Sequence, residues 1–566
     1  MRNGREEFLS QAVISPACAP FWDSRGGGLA VFLEPDIYPA LGVAVGLQIV
    51  GHETRLRSAW DVDFAADDES EAEPKTLFLG RRAAEADILG VTFANFCVFP
   101  RFFRMMERMG IPVLCRERRL YDAPFVVAGG LAAVNPAPLE PFVDAMVVGE
   151  GGLAMPALVE AFGKAKRSRM TRPALEESLG RIPGVYVPGL FRFEDDGDRL
   201  RRVRPEGAIA FQRLEDVPGT RRGSVFMKPH NGIALADYSC RHKCHFCLMS
   251  YARGAYAYQG REAIQSLLAE FDAIGATTVT LSSASITNLP DGDFAEIVRW
   301  AAAGLKTVKP VIRSVRPDHL EGVLSALDQG ELHLAPETAS DVLRARILGK
   351  ALRNAQFVRA LSRVKPGTVN RVRLFRLVGI PGETRDDRLA YVDFIGETLK
   401  HVDSVQVNIN PLFPQPGTPL ESLAPIGLET YRDYVREMER DVLGICPTGK
   451  EVIVNPLPPL DVLIQGLANT GDRRAASIIQ AGLLGGNTLE AYLAACGAAG
   501  LDCARFFPRG FRGLPPWSMI RLGTEDVARR RRERMMAALE AMAPERRRTL
   551  KDFFPGEAAP GRGEEG

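Results

Sequence analysis

The sequence lacks three features that would place the protein in a membrane, outside the cell or on a polyanion. No apolar run in the 566 residues reaches the roughly 18 residues that a membrane helix needs. The first residues, MRNGREEFLSQAV, lack the basic-then-apolar pattern of a secretory signal peptide. The formal net charge is only +1, so the chain has no global field that would attract nucleic acid or an anionic membrane. These absences predict a cytoplasmic protein with neither a membrane nor a nucleic acid as its partner.

The composition is that of a folded protein with several domains. Hydrophobic residues make up 46% of the chain and charged residues 25%, which excludes a disordered, collagen-like or coiled-coil protein. At about 150 residues per domain, the length of 566 residues predicts roughly three or four domains.

The nine cysteines do not indicate a disulfide framework, because a reducing compartment keeps cysteines as thiols. Cys240, Cys244 and Cys247 fall within eight residues of one another and form a separate group. Buried free cysteines commonly behave as small apolar side chains, and we expect this of the six that are scattered. These six are Cys18, Cys97, Cys115, Cys446, Cys496 and Cys503.

From Gly28 to about Glu160, short apolar runs alternate with helical stretches. Strands of β-branched residues that alternate with helices are typical of a parallel, doubly wound sheet. One predicted helix, RFFRMMERMG (101–110), ends at Gly110. The predicted strands are LAVFLEP (29–35), DILGVTF (87–93), IPVLC (111–115), PFVVAGG (124–130) and AMVVGEG (145–151).

The carboxyl ends of these strands are candidate binding positions, because ligands of open α/β sheets bind outside the carboxyl ends of the strands. The ends carry Asn95, Gly129, Gly130, Gly149 and Glu150. Glycines at consecutive strand ends let a large flat ligand approach the backbone closely. Ordinary βα turns are the alternative interpretation.

A second series of strands begins near Gly232. Six strand signals separated by helical stretches predict a full or partial (β/α) barrel. The six are GIALAD (232–237), TTVTLSS (277–283), VKPVIRSV (308–315), ELHLAPE (331–337), RVRLFRLVGIPGE (371–383) and DSVQVNINPLF (403–413).

These patterns divide the α/β chain into four parts. A Rossmann-like domain over 1–162 precedes a connector over 163–222, whose charged segment at 193–207 predicts a small hairpin. The barrel covers 223–444, and a helical region over 445–566 ends in a tail expected to be disordered. We interpret the basic stretch at 528–548 as a solvated helix face.

The group Cys240, Cys244 and Cys247 follows the first barrel strand and can hold a metal cluster. Three thiolates on one short loop can bind three corners of a cubic [4Fe–4S] cluster, which leaves one iron open to a substrate or cofactor. Electron-transfer clusters normally use four cysteines, so three indicate chemistry at the open iron. The alternatives are a zinc site completed by His242 or His245, and free thiols without a metal.

The spacing CxxxCxFC over 240–247, at the end of the first strand of a barrel, resembles the signature of the radical SAM superfamily. The resemblance implies that the three cysteines hold the cluster and that S-adenosylmethionine (SAM) chelates the free iron through its amino and carboxylate groups. It also implies that Phe246 lies beside the SAM adenine, with packing within the loop as the alternative. An electron donor such as flavodoxin or ferredoxin is the implied partner.

Further stretches resemble the branch of that superfamily with an N-terminal cobalamin-binding domain. The resemblance covers about residues 28–520 and implies that the strand ends of the first sheet bind cobalamin. The stretches are EPDIYPALGVAVGLQIV (34–50), GIPVLCRERRL (110–120), AGGLAAVNPAPLEPFVDAMVVGEG (128–151), VYVPGLF (185–191), HLAPETASDVLRARILGK (333–350), VGIPGETRDD (378–387), FPQPGTPL (413–420) and TGDRR (470–474).

The chain departs from the superfamily pattern at the SAM site. The usual Gly-Gly-Glu for the SAM amino group is absent, and the matching place reads Leu281-Ser-Ser-Ala-Ser285. The hydroxyls of Ser282 and Ser283 can bind an amine or a carboxylate oxygen, so both are candidates. Arg313 and Arg316 could hold the SAM carboxylate bidentately, with packing at the barrel rim as the alternative.

Glu337 is a further candidate for SAM binding. It lies at the mouth of a middle barrel strand, where a carboxylate could meet the SAM ribose or its positive centre. A salt bridge to Arg344 or Arg346 is the alternative.

The first sheet departs from the pattern of cobalamin proteins that bind cobalt through histidine. Those proteins carry DxHxxG after the first strand, and the corresponding turn here has Tyr38 at the histidine position and its glycine, Gly42, one residue late. We therefore expect base-off cobalamin with no histidine ligand. A domain that has kept the fold and lost the cofactor is the alternative.

The resemblance implies a cobalamin-dependent methyltransferase that acts on a carbon centre of a small molecule or peptide. In such enzymes cobalamin carries the methyl group, and SAM recharges it and can also yield a 5′-deoxyadenosyl radical. The alternatives are a radical SAM enzyme that uses cobalamin for redox or rearrangement chemistry, and a non-catalytic cluster or cobalamin sensor.

Overall fold

The computed structural model of the protein describes residues 4–195, 200–203, 209–210, 222–227, 231–253, 255–285, 288–290, 292–312, 314–317, 330–365, 367–503, 515–542 and 546. Two parallel α/β units follow one another along the chain, and helices complete it. The predicted α/β fold class, with a Rossmann-like first unit, a barrel-type second unit and a helical end, is confirmed.

The first unit is a six-stranded sheet with the strand order β2-β1-β3-β4-β5-β6. All neighbouring pairs are parallel except the last, β5 with β6. Its central strands are buried on both faces, as their continuous apolar runs require. The strands are β1 (Leu29–Glu34), β2 (Asp61–Ala66), β3 (Ile88–Thr92), β4 (Phe125–Gly129), β5 (Ala145–Val147) and β6 (Val185–Tyr186).

Helices cover both faces of this sheet. The apolar side of the helix Phe99–Arg108 is deeply buried against the sheet through Phe99, Phe102, Phe103, Met105 and Met106. The helices of the unit are α1 (Gly4–Gln11), α2 (Tyr38–Leu41), α3 (Val45–Arg57), α4 (Phe99–Arg108), α5 (Gly151–Arg167) and α6 (Arg172–Gly180).

The sheet differs from the prediction at 111–115, at β2 and at β6, which lies in the predicted connector. IPVLC (111–115) is not a strand. The Ile111 N–H donates to the Met106 carbonyl at the end of α4, and a 3₁₀ turn begins at Cys115. The strand β2 is absent from the prediction because Asp61 and Asp63 interrupt its apolar pattern. Asp63 is nevertheless buried, where it accepts the Leu79 backbone N–H at 2.7 Å, and burial raises its pKa to about 6.

The second unit is a partial barrel made of two parallel sheets. One sheet has the order β7-β8-β9 and the other β10-β11-β12-β13-β14. The strands are β7 (Asn231–Leu235), β8 (Thr278–Ser282), β9 (Lys309–Ile312), β10 (Ser314–Val315), β11 (Gly330–Glu337), β12 (Val369–Val378), β13 (Ser404–Pro411) and β14 (Glu451–Pro456). The six predicted strand regions all contain strands, whereas β14 lies beyond 444, where only helices were predicted.

Helices follow the barrel strands and continue to the end of the described chain. The helices are α7 (Leu248–Ala252), α8 (Arg261–Ala273), α9 (Asp293–Gly304), α10 (Asn354–Leu361), α11 (Arg385–Leu399), α12 (Leu428–Leu443), α13 (Pro459–Ala468), α14 (Arg473–Leu484), α15 (Leu489–Ala498) and α16 (Glu525–Glu540). A π-helical turn covers Leu343–Ile347. Among the described residues, no helix is long and apolar enough to cross a membrane.

The predicted connector over 163–222 belongs in part to the first unit. Helix α5 runs through the predicted boundary at 162, and β6 adds the last strand to the first sheet. The hairpin expected in this region is formed by Arg192–Asp195 and Leu200–Val203, which pair antiparallel. Residues 196–199, 204–208 and 211–221 lie outside the described residues.

Helix α16 is packed against the cysteine loop and is not simply a solvated helix face. Met535 and Leu539 on its inner side are buried in a small apolar cluster with Ile347 and Leu348. The Arg531 guanidinium donates a hydrogen bond to the carbonyl of Lys243, within the cysteine loop, at 2.8 Å. Residues 543–545, 547 and 548 of the predicted basic stretch, and the predicted disordered tail, lie outside the described residues.

Candidate cofactor sites at two sheet edges

The cysteine loop begins directly after β7 and is folded by two residues with left-handed backbone. Ser239 has φ 68° and Lys243 has φ 51°, conformations that L-residues other than Asn and Asp rarely adopt. The Tyr251 hydroxyl donates to the Lys243 carbonyl at 3.0 Å and ties the loop to α7. The backbone therefore turns sharply at these two residues, and the turns bring the three cysteines of the loop near one another.

The three thiols of this loop are free, half-buried and close enough to affect one another electrostatically. Burial above all, with a smaller effect from negative charge on Cys247 and Cys240, raises the pKa of Cys244 to about 12. Positive charges on Lys350 and Arg316 act in the opposite direction. Metal-binding cysteines ligate as thiolates, and the nearby cations would balance the negative charge of the thiolates and of a cluster that they hold.

Three thiols on one loop fit a cubane cluster, in which each thiolate binds an iron of its own. Among the described residues, no group of three or more His, Cys, Asp or Glu side chains is arranged to hold a single metal ion. His245 Nδ1 lies 2.8 Å from the carbonyl of Ile347, and burial lowers the pKa of the imidazole to about 4.

Asp237 and Asn288 form a polar group beside Cys240 that sequence reasoning missed. Asp237 accepts a hydrogen bond from the Ser283 hydroxyl at 2.6 Å, and burial raises its pKa to about 6. The Asn288 side chain interacts with Asp237 and lies with its amide nitrogen 3.7 Å from Cys240 Sγ. A carboxylate two residues beyond the first barrel strand was visible in the sequence, whereas only the fold brings Asn288 to the loop.

Replacing Asn288 by alanine should lower the reduction potential of a cluster held by this loop. A hydrogen bond to a ligand sulfur stabilises the more negative, reduced state. Loss of about 1 kcal/mol of that stabilisation corresponds to a one-electron shift of roughly 40 mV. A potentiometric titration followed by electron paramagnetic resonance measures the shift. Asn455→Ala, at an exposed strand position, is the control, and an unchanged potential in Asn288→Ala would show that the contact does not tune the cluster.

Glu337 is buried and is paired with Lys350, whereas the salt-bridge alternative named Arg344 or Arg346. Its carboxylate lies 3.1 Å from Lys350 Nζ, while Arg344 pairs with Asp341 at 2.7 Å. Burial raises the pKa of Glu337, and the Lys350 charge opposes this. Glu337 also has φ 64°, and its carbonyl accepts from Arg376 at 2.9 Å. The side chain therefore lies within reach of the cation that also influences Cys244.

The other predicted SAM residues take different positions. Ser282 ends β8, and its carbonyl accepts the Ala236 N–H at 2.9 Å, so it lies at the barrel mouth next to the cysteine loop. Phe246 is partly buried and packs against the apolar cluster formed by the π-helical turn and α16. Arg313 lies outside the described residues, and Arg316 lies near Cys244.

The glycines at the edge of the first sheet border an apolar cleft of about 50 Å³. Gly129 lies in ordinary extended backbone, and a Cβ there would approach only the Val147 carbonyl, at 3.8 Å. Gly130 differs, because its φ is 93° and a Cβ would come within 2.5 Å of the Phe93 carbonyl oxygen. The fold itself therefore requires glycine at 130, whereas Gly129 leaves open space in the cleft. Gly149, with φ 101°, also borders it.

The remaining residues predicted at this edge are held by local contacts. Asn95 caps a 3₁₀ turn by accepting the Cys97 N–H at 3.0 Å. Tyr38 is fully buried and donates its hydroxyl to the Lys75 carbonyl at 3.0 Å. The phenol is thus already engaged within the first unit.

The carboxyl edges of the two units meet. Glu150, at the end of β5, accepts a hydrogen bond at 2.8 Å from the hydroxyl of Tyr238, two residues before Cys240. The Phe96 N–H donates to Gln465 on α13 at 2.9 Å, and the Asn135 side chain donates to the Gly471 carbonyl at 2.8 Å. The glycine-bordered cleft and the cysteine loop are therefore joined across one interface.

Residues 59–188 match the family of N-terminal domains of radical SAM proteins, and residues 238–395 match the radical SAM superfamily. The two matches cover about half of the chain, and the second includes the cysteine loop. The protein belongs to the radical SAM superfamily.

The overall fold is similar to a cobalamin-containing member of that superfamily. The relative is the radical S-adenosylmethionine methyltransferase TsrM from Kitasatospora setae, in a structure with cobalamin and a [4Fe-4S] cluster bound. The TM-score is 0.50 at 17% identity, over 84% of this chain and 100% of that chain. The similarity shows that the two proteins share an overall fold, which in this chain begins with the Rossmann-like sheet of the first unit.

Curated relatives match parts of the chain. An uncharacterized protein of Methanocaldococcus jannaschii is 24% identical over 53% of this chain and 62% of its own length. A tRNA-2-methylthio-N(6)-dimethylallyladenosine synthase of Sorangium cellulosum is 28% identical over 28% of this chain and 37% of its own. The chain thus spans less than two thirds of the length of each of these relatives.

Proposed function

We propose that the protein is a cobalamin-dependent radical SAM methyltransferase that acts on a carbon centre of a small molecule or peptide. The observation that supports this proposal most directly is the hydrogen bond between Glu150 and Tyr238. It joins the edge where cobalamin would bind to the loop where the cluster would be held. Methyl transfer needs the cobalamin and the cluster-bound SAM near one substrate, since reacting atoms must approach within about 3–3.5 Å.

Residues of both edges would hold the cofactors. Cys240, Cys244 and Cys247 would ligate a [4Fe–4S] cluster, with Lys350 beside them to balance its negative charge. The cleft beside Gly129 would receive part of cobalamin in its base-off form. When bound, the cluster and SAM would supply radical or methyl-donor chemistry, and cobalamin would carry the methyl group.

Polar residues at the barrel mouth would position SAM. The Asp237 carboxylate, fixed by Ser283, faces the cysteine loop and could accept a hydrogen bond from the SAM amino group. Glu337 could bind the ribose while Lys350 keeps the buried carboxylate paired. Ser282, Arg313 and Phe246 stay candidates for the same ligand. All nine cysteines are thiols, which supports a reducing, cytoplasmic compartment.

Deuteriomethyl SAM tests the reaction type. Anaerobically reconstituted protein with cobalamin would be incubated with a metabolite and peptide extract and either labelled or unlabelled SAM. Methyl transfer predicts a product pair that differs by the mass of the deuterium label. Release of 5′-deoxyadenosine without any labelled product would contradict methylation and favour the redox or rearrangement alternative. If SAM is not turned over at all, the result would favour the alternative of a non-catalytic cluster or cobalamin sensor.

A further inference from the structure

The five-stranded sheet of the barrel has one apolar face and one polar face. Leu334, Leu374 and Val407 are fully buried in the core that also contains Tyr391 and Phe394 of α11, so this face meets the helices. Side chains alternate between the two faces of a strand, so the intervening positions point to the inside of the barrel. These positions, which we call the inner face, are half-buried. They are Glu331, His333, Arg371, Arg373, Phe375, Gln406, Asn408 and Asn410.

The inner face suits a polar ligand. The interior of a closed (β/α) barrel is normally filled by branched apolar side chains. Here charged and amide side chains lie side by side, since His333, Arg373 and Gln406 are neighbours in register on three adjacent strands. Phe375 and Asn408 form the next pair toward the carboxyl edge of the barrel, the edge at which the cysteine loop lies. A ligand bound at Arg373 would therefore extend along Phe375 and Asn408 toward that loop.

The guanidinium of Arg373 is only partly paired. One of its terminal nitrogens lies 3.1 Å from Glu331, whose other carboxylate oxygen lies 2.6 Å from His333 Nε2. The Nε of Arg373 is buried, and no group in the described part of the chain accepts a hydrogen bond from it. A buried donor without an acceptor is destabilising, so this position calls for an acceptor that a ligand can supply.

Arg371, on the same strand and the same face, is paired more fully. Its Nε donates to the Ser404 hydroxyl at 3.2 Å, and one of its terminal nitrogens lies 3.3 Å from Glu451. The planar fork of an arginine matches a carboxylate, which can accept two parallel N–H bonds from it. Of these two arginines, Arg373 is therefore the one with a donor left for a carboxylate.

We propose that the substrate carries a carboxylate, which binds to Arg373 on the inner face of the barrel. The proposal rests on the proposed function and names the chemical class of its substrate. Glu331 would hold the guanidinium in place through one oxygen, while Nε and the rest of the fork bind the substrate carboxylate. Phe375 and Asn408 would contact the body of the substrate. A small organic acid and the carboxyl terminus of a peptide present the same group.

Binding to the full-length, cluster-loaded protein tests the site without any need for turnover. The probes are a panel of N-acetyl amino acids and short peptides with a free carboxyl terminus, each with its carboxamide counterpart. Saturation-transfer NMR should show that acids bind to the parent at least about tenfold more tightly than the matching amides. Arg373→Gln should remove this preference. Arg373→Lys keeps a charge beside Glu331 but lacks the planar fork, so it should also lose most of the preference.

Arg371→Gln is the matched control, because its arginine lies on the same face and already has partners. This variant should prefer acids as the parent does. Three results would overturn the proposal: equal binding of acids and amides by the parent, a parent-like preference in both Arg373 variants, and an equal loss in Arg371→Gln. Melting temperatures near that of the parent show that the variants are folded, and Arg373→Lys keeps the test valid if Arg373→Gln is not.

Blocking carboxylates in the extract separates this proposal from the proposed function. Extract treated with acidic methanol, which converts carboxylic acids to methyl esters, should yield no product labelled by deuteriomethyl SAM. Hydrolysis of the esters with mild base should restore the product, and separate small-metabolite and peptide fractions show which source supplies the acid. Labelled product from the esterified extract in undiminished amount would overturn the carboxylate proposal and leave methyl transfer intact. Preferential binding of acids without labelled product from any extract would count against the proposed function alone.

Discussion

Replacing Cys240, Cys244 and Cys247 together by alanine should remove the iron from the protein and abolish SAM cleavage. The parent, reconstituted anaerobically, should carry about four irons per chain and absorb near roughly 400 nm, as [4Fe–4S] proteins do. The three thiols converge on one loop, and alanine offers no ligand in their place. Iron and sulfide analysis together with the visible spectrum measures the loss.

A matched cysteine outside the loop is the control for this experiment. Cys446 is also free and partly exposed, so Cys446→Ala should keep the full iron content and the parent's rate of SAM cleavage. Two results would refute the assignment of the loop. One is a full cluster in the triple variant, and the other is stoichiometric zinc in the protein purified without reconstitution.

The variant Gly129→Leu should abolish or strongly weaken cobalamin binding while the cluster content stays unchanged. The new side chain would project into a cleft of only about 50 Å³ without straining the backbone, because a Cβ is tolerated at this position. Filling a close-fitting site costs about 1–3 kcal/mol or more, which corresponds to a loss of affinity of roughly fivefold or greater. Equilibrium binding of cobalamin, followed by its absorbance, measures the effect.

Gly46→Leu is the matched control for the cleft. Gly46 lies on the exposed side of α3, in the same unit, with no atom within 4 Å of an added Cβ. This variant should bind cobalamin like the parent. Gly130 is unsuitable for the test, since any side chain there collides with the Phe93 backbone and would disturb the fold. Parent-like binding by Gly129→Leu would show that cobalamin does not use this cleft.

Local sequence signals account for the parts of the fold that were predicted. Apolar runs between helices identify β1, β3, β4 and β5 and the first strands of the barrel, because the burial of a strand depends on its own residues. The strands β2 and β14 were missed for different reasons. Asp63 interrupts the apolar run of β2 and is stabilised by backbone N–H groups more than ten residues away. Strand β14 has only partly buried residues and lies after a long helix.

The ion pair of Glu337 shows that spacing along the chain does not by itself predict which charged side chains pair. Arg344 and Arg346 are the nearer cations in sequence, yet Lys350 forms the ion pair. The left-handed backbone at Glu337 and the π-helical turn after it change the direction of the chain. Arg344 is turned toward backbone carbonyls and Asp341 instead. Such backbone irregularities depend on packing and leave no regular pattern in the sequence.

The sequence by itself determined the cysteine loop, the two α/β units and the glycine-bordered strand ends, because each depends on residues that are neighbours in the chain. The tertiary structure alone decided that Glu150 meets Tyr238 and that α16 lies on the cysteine loop. Those contacts join residues 88 and 288 positions apart in the chain. The reason is physical. A basic helix has the same composition whether its face is exposed to solvent or packed on a loop, so only the packing of the whole chain decides which of the two occurs.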